Sequence, residues 1–556
     1  MRKKQKHKTQ CLQTIYTVTL SGCNIVKLKT GVAVFCLNSQ GRLNSIFSRY
    51  KNTEDEVMRK DSRIKNNLIS SVVYQFVLVS LGFLLPRLYL ENFGSEVNGV
   101  LSTIKQIFTY MCLLEAGVGL ATTQALYKRI GKSDFKSASA VLSATDTYYK
   151  KTGVVYLAIV LVVATLYAYA VPSGIDSHIL FLIIILNAIP SLFSYFVQAK
   201  YRILMEVDGR KYVINNSETV VQLLSNAGKV LVLLLTDSLI LIYLVYCVIT
   251  LGQLVFLYLY ARRRYKWLDL GTKPDFDAIA QKNSVLVHQL SGMIFNNTDI
   301  ILLSVLCDFK AVSVYAIYNI FFLQMQSMIT SVVSGFNFAL GQLFYTDRER
   351  FDEIYDVYET VYIMATFIIY TLMAVFLLPV IEIYTGGISD VNYTNVYLII
   401  LFVIMNLLSN GKMPVSSVIE YSGMFKATRS HAIWEMAINI AVSVAAIIWF
   451  GICGAITGTI VALIYRGIVA IYYANKKVLG RSVFGTYKSL IINGGIFTLI
   501  IAVFFVDSFS GMPFLKLLLW GMIHSVWIVA LYIGVNCLVR RDIVKTLVKL
   551  YRGKKI

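Results

Sequence analysis

The stretch HQLSGMIFNNTDIILLS, which begins at His288, places polar side chains inside an otherwise apolar run. His288, Ser291, Asn296 and Asp299 are spaced so that they share one broad face of a helix, whereas Asn297 lies off that face. Ionisable side chains at membrane depth are costly and usually face a cavity or a partner. We therefore expect Asp299 either to neutralise a basic partner or to take part in ion coupling.

Three cations lie within other apolar runs, namely Arg87, Lys105 and Lys229. A cargo that carries phosphate would need such side chains as counter-charges. A structural role is the alternative for two of them, because Arg87 and Lys229 lie near the predicted ends of their spans and could extend to lipid headgroups.

Neighbouring runs carry polar stripes of their own. Asn319 and Gln326 share a helical face in the run 311–344. Glu435 and Arg466 could form a structural pair across adjacent helices, and buried amides could simply bond between helices. Together, the runs 67–90, 97–125, 284–306 and 311–344 predict a hydrophilic cavity of mixed charge.

The elements that must position these side chains are membrane-spanning helices. The 556-residue chain is 57% hydrophobic and only 15% charged. From residue 67 onward, apolar runs of about 20 residues recur, which is the length of a helix that crosses a hydrocarbon core of about 30 Å. The sequence predicts an all-α integral membrane protein with about fourteen transmembrane helices.

Lysine and arginine concentrate in alternate loops, and the loops between them contain almost none. Such a bias predicts that the basic loops and both termini are cytoplasmic. We call the side of the basic loops the basic side, and the other the opposite side. The basic loops contain residues 128–136, 200–211, 262–266, 348–350, 412–429 and 476–481.

An internal repeat relates two parts of the chain. FGSEVNGVLSTI (93–104) and DFKAVSVYAIYNI (308–320) each combine a short loop with the start of a long helix. Their starts are 308 − 93 = 215 residues apart, which corresponds to six predicted spans. Because six is even, the repeat is parallel, with its axis along the membrane normal. We expect two six-helix lobes facing a central cavity, with two further helices appended.

These patterns predict four regions. The stretch MRKDSRIKNN, which begins at Met58, looks like the natural start of a membrane protein, so the residues before it are expected to be a dispensable extension, a misplaced translation start or a disordered tail. The regions are a cytoplasmic extension (1–57), an N-terminal six-helix lobe (58–270), a C-terminal six-helix lobe (271–480), and two extra helices with a basic tail (481–556).

Charge and motifs exclude several classes of function. The net charge of +21 lies mostly in short loops, which favours a lipid bilayer over nucleic acid as the partner. The eight cysteines form no CxxC pair, and there is no Walker loop. We expect no cofactor, no bound metal centre and no enzymatic activity.

One long segment resembles the second span of bacterial polysaccharide flippases of the Wzx type. It is NGVLSTIKQIFTYMCLLEAGVGLATTQALYK (98–128). The resemblance rests on the acidic Glu115, on Gly117 and Gly119, and on the Leu-Tyr-Lys exit at 126–128.

Two more segments extend this resemblance over most of 60–475. RILMEVDGRKYVINNSETVVQLLSN (202–226) is similar to the fifth-span entry of the same family, and 288–319 is similar to its seventh and eighth spans, with Asp299 and Tyr315 at matching places. The loop after the seventh span has Cys-Asp-Phe-Lys where the family tends to have glycine, so the hinge there is expected to differ.

The resemblance implies the multidrug/oligosaccharidyl-lipid/polysaccharide (MOP) exporter fold in a bacterial inner (plasma) membrane. It implies an undecaprenyl-diphosphate-linked oligosaccharide as cargo, a coupling proton or sodium ion, and a polymerase and chain-length regulator as further partners. For such a cargo, we expect Arg87, Lys105 and Lys229 to attract the diphosphate, Asn296, Asn319 and Gln326 to bond sugar hydroxyls, and Glu115 and Asp299 to be the candidate carboxylates for ion coupling.

Other functions stay open at this point. A cation-coupled multidrug exporter of the same superfamily would show fewer interior cations. A membrane glycosyltransferase or polymerase would need catalytic groups in a large outside loop, and the longest such loop offers only Glu382 and Asp390. A scaffold without transport would not need the polar stripes.

Overall fold

The computed structural model describes residues 17–20, 23–28, 31–36, 41–131, 134–236, 238–279, 298–422, 424–504 and 509–553. The chain divides into two compact units, Met1–Ile69 and Ser70–Ile556. In the first unit, the strands β1 (Thr17–Leu20), β2 (Cys23–Leu28) and β3 (Gly31–Cys36) form an antiparallel sheet in that order. The predicted all-α class is confirmed for the second unit, whose described regular elements are helices.

The first half of the second unit consists of long helices joined by short loops. A π-helical turn at Ser194–Gln198 connects α4 to α5. The helices are α1 (Gly41–Met111), which begins within the first unit, α2 (Leu113–Gly131), α3 (Phe135–Ala170), α4 (Ser177–Phe193), α5 (Ala199–Val207), α6 (Lys211–Leu235) and α7 (Leu239–Arg264).

The second half repeats this organisation and adds helices at the C-terminus. A π-helical segment at Tyr473–Leu479 follows α14. The helices are α8 (298–306), α9 (Phe309–Thr346), α10 (Arg348–Tyr384), α11 (Val396–Gly411), α12 (Met413–Tyr421), α13 (Phe425–Phe450), α14 (Ile452–Tyr472), α15 (Phe484–Phe504), α16 (Phe514–Val539) and α17 (Arg541–Gly553).

Local sequence explains where these helices start and break. Asp134, Asp176 and Asp308 each precede a helix and accept a hydrogen bond from a backbone N–H of its first turn. Within α1, Gly94 has φ 78° and ψ 179°, a conformation that favours glycine, so the helix breaks there into two spans.

The number of spans agrees with the sequence prediction. Among the described residues, twelve helices are long and apolar enough to cross a membrane, and one of them, Val73–Met111, contains the break at Gly94. Counting its two sides separately gives 12 + 1 = 13 spans. The remaining predicted span, 284–306, lies outside the described residues except for α8. The protein is a multi-pass membrane protein.

One contact between the halves matches the internal repeat. The amide of Asn98 donates a 2.7 Å hydrogen bond to the hydroxyl of Ser313, and the two residues are 215 positions apart. This is the repeat distance found in the sequence, so two equivalent positions touch each other. Asn98 and Ser313 occupy the same place in the two repeats. Two such positions can touch each other only near the axis that relates the repeats, so this axis passes close to the contact.

The C-terminal helices pack against the second lobe through buried polar contacts. Thr371 on α10 shares a 2.8 Å hydrogen bond with Tyr532 on α16. At the basic side, buried Glu359 accepts hydrogen bonds from Thr486 at 2.8 Å and from Arg481 at 2.7 Å. The appended helices are therefore fixed to one lobe, while the exact domain boundaries stay a prediction.

Candidate functional site

Asp299 lies on α8 and is buried. The hydroxyl of Tyr315 donates to its carboxylate at 2.9 Å, and the hydroxyl of Thr459 donates at 3.1 Å. Among the described residues, no cation forms an ion pair with Asp299. Of the two roles expected for this carboxylate, neutralising a basic partner therefore finds no support in the described contacts.

A second polar side chain completes an oxygen-rich cluster around this carboxylate. The amide nitrogen of fully buried Asn439 donates to the hydroxyl of Thr459 at 2.8 Å. Its side-chain oxygen Oδ1 is buried and has no hydrogen-bond partner among the described residues. A buried acceptor without a partner is unusual and costs about 1–3 kcal/mol. We call Asp299, Tyr315, Asn439 and Thr459 the carboxylate cluster.

Small residues bring the helices of the carboxylate cluster together. A Cβ atom at Gly458 would overlap Ser443, and one at Gly454 would overlap the carbonyl of Ala446. Glycine at these positions lets α13 and α14 approach closely, as small residues four apart do in membrane helices. That approach places Asn439 of one helix beside Thr459 of the next.

Lys105 and Lys229 come together in the first lobe. They lie within electrostatic range of each other, and the ammonium of Lys229 is 4.8 Å from the centre of the Tyr246 ring. Lys105 is exposed, and neither lysine forms an ion pair with a described carboxylate. Two like charges at this depth repel each other, so the pair favours an anionic ligand. We call it the lysine pair.

Arg87 lies apart from the lysine pair, in a contact that joins the two halves. Its guanidinium donates to the carbonyl oxygens of Tyr384 and of Gly386, the latter at 2.9 Å, and it pairs with Glu91 at 2.7 Å. In this conformation, guanidinium N–H groups of Arg87 donate to backbone oxygens of the second lobe.

A chain of hydrogen bonds near Arg87 closes the opposite side. The backbone N–H and the hydroxyl of Ser95 each donate to Asp390 at 2.8 Å. The hydroxyl of Tyr393 lies 2.6 Å from that of Ser95 and 2.8 Å from that of Ser313, which accepts from Asn98. We call these five residues the seal.

Asp390 is the charged member of the seal, and its pKa can be assigned a direction. Partial burial opposes ionisation, but the hydrogen bonds from Ser95 outweigh it and hold the pKa of Asp390 below its ordinary value. Because the pKa of Asp390 is lowered, its ionised carboxylate stabilises the closed seal at any pH above the ordinary pKa of an aspartate. This stabilisation is lost as the pH falls through the lowered pKa. The seal should therefore be insensitive to pH near neutrality.

Replacing Asp390 with Ala should weaken the seal, because two Ser95 donors would lose their acceptor at a cost of about 1–3 kcal/mol. Exposed Cys112 is a natural reporter of the space below the seal. In a background with Cys307, Cys453 and Cys537 replaced by Ser, an impermeant maleimide added from the opposite side should label Cys112 about 5- to 150-fold faster. The matched control is Asn392→Ala in the same loop, and equal labelling in both variants would remove Asp390 from the seal.

The other predicted site residues are scattered. Gln326 accepts a 2.6 Å hydrogen bond from Asn410 in the second lobe. Asn319 is half-buried on the same helix. Asn296 lies outside the described residues. The backbone of Glu115 belongs to α2, but its side chain is not among the described ones. Only Asp299 and the lysines are thus found in defined clusters.

Comparison with solved structures identifies the architecture. The chain is similar to the lipid II flippase MurJ in an inward closed conformation, with a TM-score of 0.64, 15% identity, and coverage of 86% of this chain and 100% of that one. It is also similar to a multidrug resistance MATE family transporter of the MOP superfamily in an inward-facing conformation, with a TM-score of 0.59, 14% identity, and coverage of 74% and 98%. This chain has the MOP exporter fold.

A third solved structure is also similar to this chain. It is a MOP superfamily transporter from Pyrococcus furiosus, for which a reverse polarity of the binding pocket suggests a different function, with a TM-score of 0.53, 14% identity, and coverage of 75% and 96%. The sequence matches no protein-family model and no curated protein. The predicted superfamily is confirmed at the level of fold, and Wzx-type specificity stays a prediction.

Sequence reasoning missed two members of the carboxylate cluster in this MOP fold. Asn439 and Thr459 are not among the site residues that the sequence predicts. The available signal was the pair of glycines four residues apart, Gly454 and Gly458, which marks a close helix crossing. The seal was missed because its members lie in loops and at helix ends.

Proposed function

We propose that the protein is a flippase that moves an undecaprenyl-diphosphate-linked oligosaccharide from the cytoplasmic to the outer leaflet of a bacterial cell membrane. The observation that carries this proposal is the lysine pair. A diphosphate supplies the anionic charge that two neighbouring ammonium groups at membrane depth need. The product would feed the assembly of capsule, exopolysaccharide or O-antigen.

The lysine pair also separates this proposal from the multidrug exporter. A cationic drug would meet two like charges in a medium where electrostatic repulsion is poorly screened. A lipid-linked diphosphate would instead be held there while its apolar chain stays in the bilayer. Anionic cargo is therefore the better match to Lys105 and Lys229.

The carboxylate cluster is proposed as the site of the coupling cation, a proton or a sodium ion. A sodium ion would bind the carboxylate of Asp299, the hydroxyl of Thr459 and the Oδ1 of Asn439, which has no partner in the described part of the chain, since hard cations prefer oxygen ligands. A proton would neutralise Asp299 directly. Cargo and cation would then occupy different lobes, and a motion of one lobe against the other would couple them.

The closed seal supports loading from the basic side, which the proposal takes as cytoplasmic. When the seal opens, the donors of Arg87 lose their carbonyl partners and become available to the leaving diphosphate. Asn296, Asn319 and Gln326 are proposed to bond sugar hydroxyls, and Glu115 is proposed as a second coupling carboxylate. A polymerase and a chain-length regulator would receive the product on the opposite side.

Replacing both Lys105 and Lys229 with Gln tests the proposal. Liposomes would contain a fluorescent undecaprenyl-diphosphate oligosaccharide, with and without an imposed proton or sodium gradient, and loss of leaflet protection would report transport. Each lost charge-assisted contact is worth about 1.5–3 kcal/mol. The initial rate at low cargo concentration should therefore fall by at least about tenfold.

The matched control is Lys516→Gln, which removes an exposed lysine at the start of α16. Its rate should equal that of the unmodified protein. If the unmodified protein moves a cationic dye along the gradient and leaves the glycolipid in place, the multidrug exporter is the correct assignment. If the Lys105→Gln/Lys229→Gln variant transports normally, the lysine pair is not the cargo site.

A further inference from the structure

A second feature of the second lobe has no place in this mechanism. A groove with a volume of about 610 Å³ runs between α10, α11, α14 and α15. Its floor is buried and its rim is exposed, so it opens sideways at membrane depth. The floor includes Phe367, Leu407, Leu463 and Ile471, and the rim includes Ile464, Ile468 and Ile491. We call it the lateral groove.

The length of the lateral groove matches one leaflet. On α15 it extends from Tyr487 to Thr498, which are eleven residues and therefore about 16 Å apart along the helix. The hydrocarbon core of a bilayer is about 30 Å thick, so the groove covers about half of it. Because α15 begins at Phe484, directly after a basic loop, this half is the leaflet on the basic side.

Cationic side chains lie at the end of the groove on the basic side. Lys412 lines the groove there and donates to Glu435 at 2.8 Å. The same carboxylate lies 3.4 Å from the guanidinium of Arg466. Two cationic side chains, Lys412 and Arg466, therefore lie beside Glu435 at the mouth of an otherwise apolar channel, where cationic groups favour an anionic headgroup.

We propose that the lateral groove holds one hydrocarbon chain of an anionic phospholipid from the leaflet on the basic side, with its phosphate near Lys412. The apolar floor and exposed rim fit a chain that enters from the bilayer, and the length fits a chain confined to one leaflet. The inference does not depend on the identity of the cargo.

Two glycines make the lateral groove easy to fill without disturbing the fold. A Cβ atom added at Gly467 or at Gly494 would have no atom within 4 Å. Leucine at both positions therefore starts from a Cβ atom without overlap, and its side chain would occupy the groove. Gly521 and Gly534 on α16 have equally open surroundings and do not line the groove, so leucine there provides a matched control.

The experiment is native mass spectrometry of the full chain after reconstitution in nanodiscs of equal parts phosphatidylglycerol and phosphatidylcholine. Each methylene that a filled groove excludes lowers binding about fourfold. The Gly467→Leu/Gly494→Leu variant should therefore retain at least about tenfold less phosphatidylglycerol than the unmodified protein. The Gly521→Leu/Gly534→Leu control should retain the normal amount. Lys412→Gln should still retain lipid but lose the preference for phosphatidylglycerol.

Three results would overturn the inference. One is equal retention of phosphatidylglycerol by the groove-filled and control variants. Another is equal retention of the two lipids by the unmodified protein, because the charge at Lys412 would then select nothing. The third is retention of added undecaprenyl phosphate in place of phospholipid, which would make the groove a site for the cargo chain. Failure of the flippase assay would affect none of these measurements.

Discussion

Replacing Asp299 with Asn should reduce gradient-driven transport between about 5- and 150-fold, which is the usual range of coupling between two ligands. The substitution keeps the size of the side chain and an oxygen that can accept from Tyr315 and Thr459. It removes the negative charge that would bind a sodium ion or a proton. Insertion and folding should therefore be retained, because the described contacts of the carboxylate are hydrogen bonds and not ion pairs.

Two measurements separate a coupling role from a structural one. The first is transport in liposomes with and without the gradient, where the variant should lose the gradient-dependent part. The second is thermal unfolding in sodium and in potassium salts. A cation that binds only the folded protein at 100 times its Kd adds about 2.7 kcal/mol of stability. The unmodified protein should gain stability in one salt, and the variant should not.

Asp308→Asn is the matched control, because it makes the same chemical change nearby at the helix cap of α9. Asparagine caps a helix as well as aspartate does, so both transport and stability should be unchanged. Thr459→Val should give an intermediate loss, since it removes one oxygen of the carboxylate cluster. Normal gradient-dependent transport by Asp299→Asn at equal expression would exclude this carboxylate from coupling.

The sequence predicted the individual charged residues of this molecule better than it predicted their partners. Asp299, Lys105 and Lys229 stand out because a charge in an apolar run is rare and costly. Their surroundings depend on which helix faces lie together, and periodicity along one helix does not contain that information. Thr459 therefore went unnoticed, since a threonine in a membrane helix usually bonds its own backbone.

The contacts of Arg87 could not be predicted from the sequence either. Its position near the end of a span suggested either a phosphate ligand or an extension to headgroups. In the structure it donates to carbonyls of a loop almost 300 residues away, at Tyr384 and Gly386. Backbone acceptors are present at every residue, so no sequence pattern could have indicated this contact. The fold itself was predictable, because span length, charge bias and the 215-residue repeat are all properties of the sequence.

Replacing Gly99 with Ala should open the seal and is the most sensitive test of how the lobes meet. A Cβ atom at Gly99 would overlap the carbonyl oxygen of Phe309, at the start of α9, beside the contact that lies near the repeat axis. The added Cβ atom and the backbone oxygen of Phe309 cannot rotate away from each other, so the two helices must separate. Overpacking of this kind costs about 1–3 kcal/mol. The closed conformation should therefore lose about 5- to 150-fold in population.

The opening can be measured as a distance between the lobes on the opposite side. Spin labels at Leu235 and Tyr397, which are exposed ends of α6 and α11, should move to longer separations in Gly99→Ala. Gly252→Ala is the matched control, because it gives the same gain in helix propensity at an exposed glycine with no atom within 4 Å. Unchanged distances in both variants would show that the lobes do not close at Gly99.

The consequence for transport follows from the order of events in alternating access. A protein that spends most of its time open to the opposite side seldom loads cargo from the basic side, so the rate should fall although the lysine pair and the carboxylate cluster are intact. The Gly99→Ala variant should therefore bind the coupling cation normally while transporting slowly. A variant that transports slowly and also loses cation binding would instead indicate that the seal and the carboxylate cluster form a single cooperative unit.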